Sequence, residues 1–211
     1  MDEGADPAAS MREFLDGISV WGGASAGPGE QGSFGVTLPV GSYAVVGALY
    51  PSEGEPSDGE APEEMPAPPT NVTKRIDVVA DGAPTAPPAV DATVHMVEFA
   101  FAFPADLGAG AQTWEFVNSG AQVHVAAIMK LLPGKTMADV MSYAEAFEGD
   151  DPTEEFAYVG MVSPGVSNFL ILDLTPGTYV AVCWFPDYAE GGVGAPHYEH
   201  GRLQSFDVRE D

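Results

Sequence analysis

Basic residues are scarce in this 211-residue sequence: 7 Lys and Arg stand against 32 Asp and Glu, a formal net charge of −25. A surface of that sign repels nucleic-acid phosphates and anionic lipid, so no nucleic acid is expected as a partner. It suits high salt or a cationic partner instead. Cysteine is almost missing, and a single Cys183 excludes an intrachain disulfide. No apolar run approaches the ~18 residues that a membrane-spanning helix needs, so no membrane span is expected. The opening "MDEGADPAAS" is acidic where the first part of a secretion signal is basic. No signal peptide is visible, which leaves a cytoplasmic protein or one whose leader has been removed. Catalytic signatures are missing too: there is no G-x-S-x-G, no P-loop, no H-E-x-x-H and no dinucleotide fingerprint. Hydrolytic catalysis is not expected.

What the sequence does have is turns and short apolar runs. It contains 25 Gly and 19 Pro, and its apolar content of 45% is enough to bury a core. That combination predicts many short strands joined by turns. Residues 1–9 are polar and expected to be disordered. Residues 10–17, "SMREFLDG", predict a short helix with Ser10 as N-cap and Glu13 three residues on. "SFGVTL" alternates as a strand, and "GSYAVVGALY" is nearly all apolar, which predicts a strand buried on both faces. Residues 52–70 are acidic and Pro-rich and predict a mobile loop. "NVTKRIDVV" reads as a closing strand, and residues 80–90 as a Pro-rich linker.

Residues 91–211 are richer. "ATVHMVEFAFAFP" predicts one long strand or two broken by a bend. "AQTWEFVNSG" alternates around Trp114 and Phe116 and ends in a turn at Asn118-Ser119-Gly120. "QVHVAAIMKLL" follows as another strand. Residues 136–149, "TMADVMSYAEAFEG", predict a helix capped by Thr136, with Met137, Val140, Met141 and Ala144 on one face. "FAYVGMV", "SNFLILDL", "GTYVAVCWF" and "LQSFDV" complete seven or eight strands. An all-β antiparallel sandwich with one short helix accommodates them.

One stretch is repeated. "PGEQGSFGVTLPVGSYAVVGALYP", residues 28–51, aligns without gaps on "PGVSNFLILDLTPGTYVAVCWFPD", residues 164–187. Residues 10–79 therefore read as a half-copy of the unit that residues 91–211 complete. A half-copy leaves sheet edges to cover. Packing on the later domain, or pairing between two chains as a homodimer, would cover them.

The motifs "WEFVNSGAQVHVAAIMKL", "GKTMADVMSYAEAF", "SPGVSNFLILDLTPGTYVAVCWFPD" and "APHYEHGR" lie within residues 91–211. In that order they resemble the cupredoxins, the plastocyanin- and azurin-like proteins with a Greek-key β-sandwich, and within them a bacterial branch with a long loop between cysteine and histidine. In that family a histidine follows an Asn-x-Gly turn, a cysteine ends a late strand, and a histidine and a methionine follow in the next loop. His124, Cys183 and His197 fall on the first three positions. The resemblance implies one copper ion held by these three, single-electron transfer to a redox partner protein, and a periplasmic or extracellular location. Two imidazoles and one thiolate in a near-trigonal plane, with a weak axial ligand, are the donor set of a blue-copper site. The usual axial Met position holds Arg202. A backbone carbonyl, or His200, is then the candidate for the axial place.

Other readings accompany these residues. A cysteine in a strand is most often a small buried hydrophobe, so a copper-free sandwich serving as a structural or interaction module is the alternative. A copper carrier or sensor would use the same residues. Trp184 and Tyr198 flank ligand candidates and are expected to pack against them. His95 lies on a strand and reads as a surface histidine. Met161 reads as core. The earlier half-copy has Gly47 where Cys183 sits and is expected to carry no metal. With four histidines in all, a second centre of the multicopper-oxidase kind has no ligands. The acidic run "EGDDPTEE" lacks the spacing of a calcium loop and reads as solvated.

Overall fold

The computed structural model describes residues 7–26, 29, 31–49, 70–80, 86–146, 148–188 and 194–210. Helix α1 (Pro7–Gly17) opens the chain and is followed by β1 (Gly41–Leu49) and β2 (Thr70–Val78). Then come β3 (Ala92–Val97), β4 (Ala100–Ala102), β5 (Gly110–Asn118) and β6 (His124–Leu131). Helix α2 (Met137–Ala146) precedes β7 (Thr153–Val162), β8 (Ser167–Leu174), β9 (Gly177–Val182) and β10 (Leu203–Val208). No described helix is long and apolar enough to cross a membrane.

Strands β3 to β10 build an all-β sandwich of two four-stranded sheets, ordered β4-β3-β5-β8 and β10-β9-β6-β7. The chain passes between sheets from β5 to β6, from β7 to β8 and from β8 to β9. All pairs are antiparallel except β3 with β5, which run parallel. The antiparallel expectation is corrected at that pair. Side-chain alternation says which face is buried but not the direction of the neighbour. Alternation itself is well kept. In β3, Ala92, Val94 and Met96 point inward, and in β5 Trp114 and Phe116 do so.

The two inward faces meet in one core. Phe206 stacks on Phe103 at 4.4 Å and on Tyr179 at 5.5 Å, and Trp114 closes on Phe206 at 5.7 Å. Buried polar tips find partners: the Tyr179 hydroxyl donates to the Thr175 carbonyl at 3.0 Å, and Trp114 Nε1 donates to Gln112 at 2.8 Å. Such satisfied tips let large amphipathic rings sit inside without a desolvation penalty.

Open sheet edges are closed from the N-terminal side. Backbone N–H of Gly22 donates to Met161 O at 2.7 Å, and Ser163 N donates to Val20 O at 2.9 Å, so residues 20–23 extend the β7 edge. Gly35 and Phe169 exchange two bonds of 2.8 Å along the β8 edge. Thus β7 and β8, the outer strands on one side, each have part of their edge paired, which reduces the exposed strand edge. A Cβ at Gly160 would lie 2.7 Å from the backbone nitrogen of Gly23, so only glycine admits this approach.

Several sequence expectations change. Helix α1 begins at Pro7, not Ser10, because proline's fixed φ and missing N–H suit the first helical position. Residues 7–9 are therefore helical, and residues 1–6 lie outside the described ones. "SFGVTL" forms no strand beyond the Gly35 bridge. By contact the chain divides into two compact units. One holds Met1–Ala26, Gln31–Val36 and Pro88–Asp211, and the other holds Gly27–Glu30 and Thr37–Pro87. In the second unit β1 and β2 pair as an antiparallel two-stranded ribbon in register from Gly41–Val78 to Leu49–Thr70. "GSYAVVGALY" is not buried there on both faces: Val45 and Val46 are 50% and 61% exposed. A two-stranded ribbon has no second layer to cover its faces. Most of the acidic loop at 52–70 and residues 81–85 of the linker fall outside the described residues.

Helix α2 keeps its expected cap. Thr136 N donates to Asp139 Oδ2 at 2.7 Å, and the Thr136 hydroxyl donates to the same oxygen at 2.6 Å. These bonds hold the Asp139 carboxyl below the usual carboxylate range. Val140 is buried, but Met141 is 52% exposed rather than part of the covered face.

Candidate metal centre

At one end of the sandwich, the turn after β5 delivers His124. Asn118 organises that turn from a fully buried position. Its side-chain amide donates to Gln122 O and Val162 O, each at 2.7 Å, while its Oδ1 accepts from Gly120 N at 2.9 Å. One side chain thus ties the turn to β7. The β6–β7 register slips between His124 and Ala126, with the extra residue on β7. Bulges of this kind re-aim side chains at sheet ends, and His124 enters the interior with no exposed surface.

Cys183 follows β9 directly, and His197 and Arg202 lie in the loop before β10. That loop is long, but its two arms are zipped together. Cys183 N donates to Arg202 O, His197 N to Phe185 O, Tyr198 N to Cys183 O and Asp187 N to Ala195 O, all at 2.9–3.1 Å. Arg202 N in turn donates to His197 O at 3.0 Å. The described arms therefore hold the candidate residues by backbone bonds.

Three side chains converge. One nitrogen from each of His124 and His197 and the Cys183 sulfur all lie within 4.8 Å of one another, and all three residues are buried. His124 Nδ1 is 3.1 Å from His197 Nδ1, and Cys183 Sγ is 3.5 Å from His197 Nδ1. Donor atoms sharing one ion through bonds of about 2.0–2.3 Å sit roughly 3–3.8 Å apart, so the two separations at His197 fit a shared cation, and the third, between His124 and Cys183, is bounded by 4.8 Å. The imidazoles also leave Nε2 of both His124 and His197 buried without a hydrogen-bond partner among the described residues.

Burial sets the protonation of the group. It is the main cause that lowers His124 to about 2 and His197 to about 4, with the Arg202 charge adding to both. Both imidazoles are neutral at neutral pH and offer lone pairs. Burial pushes the Cys183 thiol up, against the Val125 N–H, the Arg202 charge and the Phe185 N–H, which pull it down. A cation entering here displaces the thiol proton, as metal binding to cysteine generally does.

Neighbouring residues fall into place one by one. Arg202 does not point outward: it is fully buried, and its guanidinium lies 4.6 Å over the Phe101 ring. His200 is exposed, 4.0 Å from the Asp187 carboxylate, and its ring is 4.8 Å from Phe99. His95 Nδ1 meets Ser119 Oγ at 2.9 Å on the surface. Met161 is 40% exposed rather than core, and Trp184 is 43% exposed. The rings that do flank His197 are Phe99 at 5.6 Å and Phe185 at 6.4 Å. Sequence reading missed Phe99. Its φ of 58°, an outlier for a bulky residue, belongs to the tight turn between β3 and β4 and leaves no trace in hydrophobic period. In the acidic run, the Asp151 carboxylate accepts from the Thr153 N–H and hydroxyl and closes a local turn.

No family model matches the chain, and no curated protein matches it. Solved structures do. Auracyanin B shares 20% identity over 59% of this chain and 93% of that one, with a TM-score of 0.37. The dithionite-reduced auracyanin of the photosynthetic bacterium Roseiflexus castenholzii shares 22% identity over 56% of this chain and 94% of that one, with a TM-score of 0.36.

Proposed function

We propose that this chain is a cupredoxin-like protein that holds one copper ion through His124, Cys183 and His197 and passes single electrons. The carrying observation is the convergence of two imidazoles and one thiol in a buried cluster at a sandwich end. Bound there, copper would supply a one-electron couple between Cu(II) and Cu(I). The chain's own residues prepare for it. The Asn118 turn and the zipped loop fix the three donors, so little rearrangement accompanies a change of charge. Phe99 and Phe185 keep water from the His197 ring. The acidic surface favours a cationic redox partner and weak, salt-sensitive docking. A periplasmic or extracellular site of action goes with this reading.

Titration of the reduced protein with copper under competition by a chelator tests it. One tight equivalent is expected, and none in a chain with both His124 and His197 changed to Asn. Absence of tight copper in the unaltered protein would favour a copper-free interaction module, the reading that the buried charge of Arg202 otherwise supports.

Gly120 supplies a finer check. A Cβ there would lie 2.6 Å from both His124 Nε2 and Glu98 Oε1. Gly120→Ala must therefore displace both the imidazole and the carboxylate, or the turn that carries the new methyl. Its copper affinity is expected to fall roughly 10- to 100-fold, the range seen when the support of a ligand is disturbed. Unchanged affinity in the same competition titration would show that the His124 ring needs no such support.

A further inference from the structure

Arg202 is one of seven basic residues in a chain with 32 acidic ones, and it is fully buried. Its Nε and both terminal nitrogens have no hydrogen-bond partner among the described residues. A guanidinium normally spends five N–H donors on carboxylates, phosphates or carbonyls. Among the described residues its guanidinium lies over the Phe101 face at 4.6 Å. That contact is modest beside the penalty for burying a unit charge without hydrogen bonds. Fold stability does not account for it: an apolar side chain of similar volume would fill the space at less cost.

Its backbone ties it to the candidate centre from both sides. Arg202 O accepts from Cys183 N, and Arg202 N donates to His197 O. The charge is felt at all three candidate ligands and at Glu98. A thiolate with Cu(I) has a formal charge of zero, and with Cu(II) a formal charge of +1. One electron taken from an electrode or mediator converts the second to the first. A fixed positive charge nearby in a water-poor interior disfavours the more positive state.

We propose that Arg202 is a positioning residue for charge: it biases the centre toward Cu(I) and makes it a strong electron acceptor. The inference rests on the copper reading above. Glu98, whose carboxylate is held by the Ala121 N–H next to the His124 turn, acts in the opposite direction.

The test is the ratio of Cu(I) to Cu(II) affinity, with the reduction potential measured on the same samples. In Arg202→Gln the ratio is expected to fall about tenfold or more, the size that removal of a nearby unit charge gives at an effective dielectric of roughly 20, and the potential falls with it. Arg202→Lys keeps the charge and stays near the unaltered protein. Glu98→Gln shifts the ratio upward. Equal shifts in the Gln and Lys variants, or none in Gln, overturn the assignment, because a packing role would move both alike. Should Arg202→Gln not fold, Glu98→Gln decides: an unmoved ratio overturns it. Copper absent from the unaltered protein removes the copper reading as well, so the two failures are distinguishable.

Discussion

Cys183→Ala is expected to remove the intense thiolate-to-copper absorption entirely and to weaken copper binding on the order of a hundred- to a thousandfold. The magnitude follows from sharing a site's binding energy among its ligands. Cys183 is the only sulfur in the cluster, and once a cation has displaced its proton it supplies the only negative charge among the three donors. His124 and His197 alone offer two neutral nitrogens. Folding survives the change, because a small buried thiol contributes roughly 1 kcal/mol or less of packing beyond alanine. Unchanged far-UV dichroism beside a lost visible band is the expected pair of results. Copper affinity left unchanged by Cys183→Ala would show that Cys183 is the buried hydrophobe of the rival reading.

The second large effect is acid sensitivity of the copper-free protein. His124 and His197 both have folded-state values below the unfolded histidine value, at about 2 and about 4, with burial as the first cause. The unfolded chain therefore takes up protons first as pH falls. Stability from keeping the imidazoles neutral is fully present above about pH 6.5 and is lost as pH falls toward the folded values. His197 alone contributes on the order of 2–3 kcal/mol across the window from about pH 6.5 to about pH 4. Relief of repulsion among the many surface carboxylates acts the other way, so the measurement is a comparison. Urea midpoints at pH 7.5 and pH 4.5 are expected to separate strongly in the unaltered protein and much less in His197→Gln. Equal separations in the two would contradict the neutral buried pair.

Much of the sandwich was legible in the sequence because its signals are local. Trp114 and Phe116 alternate, and their inward faces are where period two puts them. Thr136 and Asp139 announce a helix start, and their side chains make the cap. The order of His124, Cys183 and His197 came from likeness to a family, and the same three side chains meet in space. Other features depend on partners far along the chain. Residues 20–23 and Gly35 cover the β7 and β8 edges through backbone bonds, which leave no side-chain pattern to read. The apolar run in β1 says that a strand is favoured, not that another layer covers it. The ribbon with β2 leaves Val45 and Val46 exposed. The parallel β3–β5 pair is equally silent, since alternation is the same in either direction. Arg202 is the sharpest case: composition places arginine at the surface, and only the packing around Phe101 shows it inside.

X-ray absorption at the copper edge of the loaded protein tests the central claim most directly, because it counts the atoms bound to the metal. The account predicts one sulfur at about 2.2–2.3 Å and two imidazole nitrogens at about 2.0 Å, with the sulfur lost in Cys183→Ala. A shell of nitrogen and oxygen alone would contradict it and place the copper somewhere other than the buried cluster of His124, Cys183 and His197.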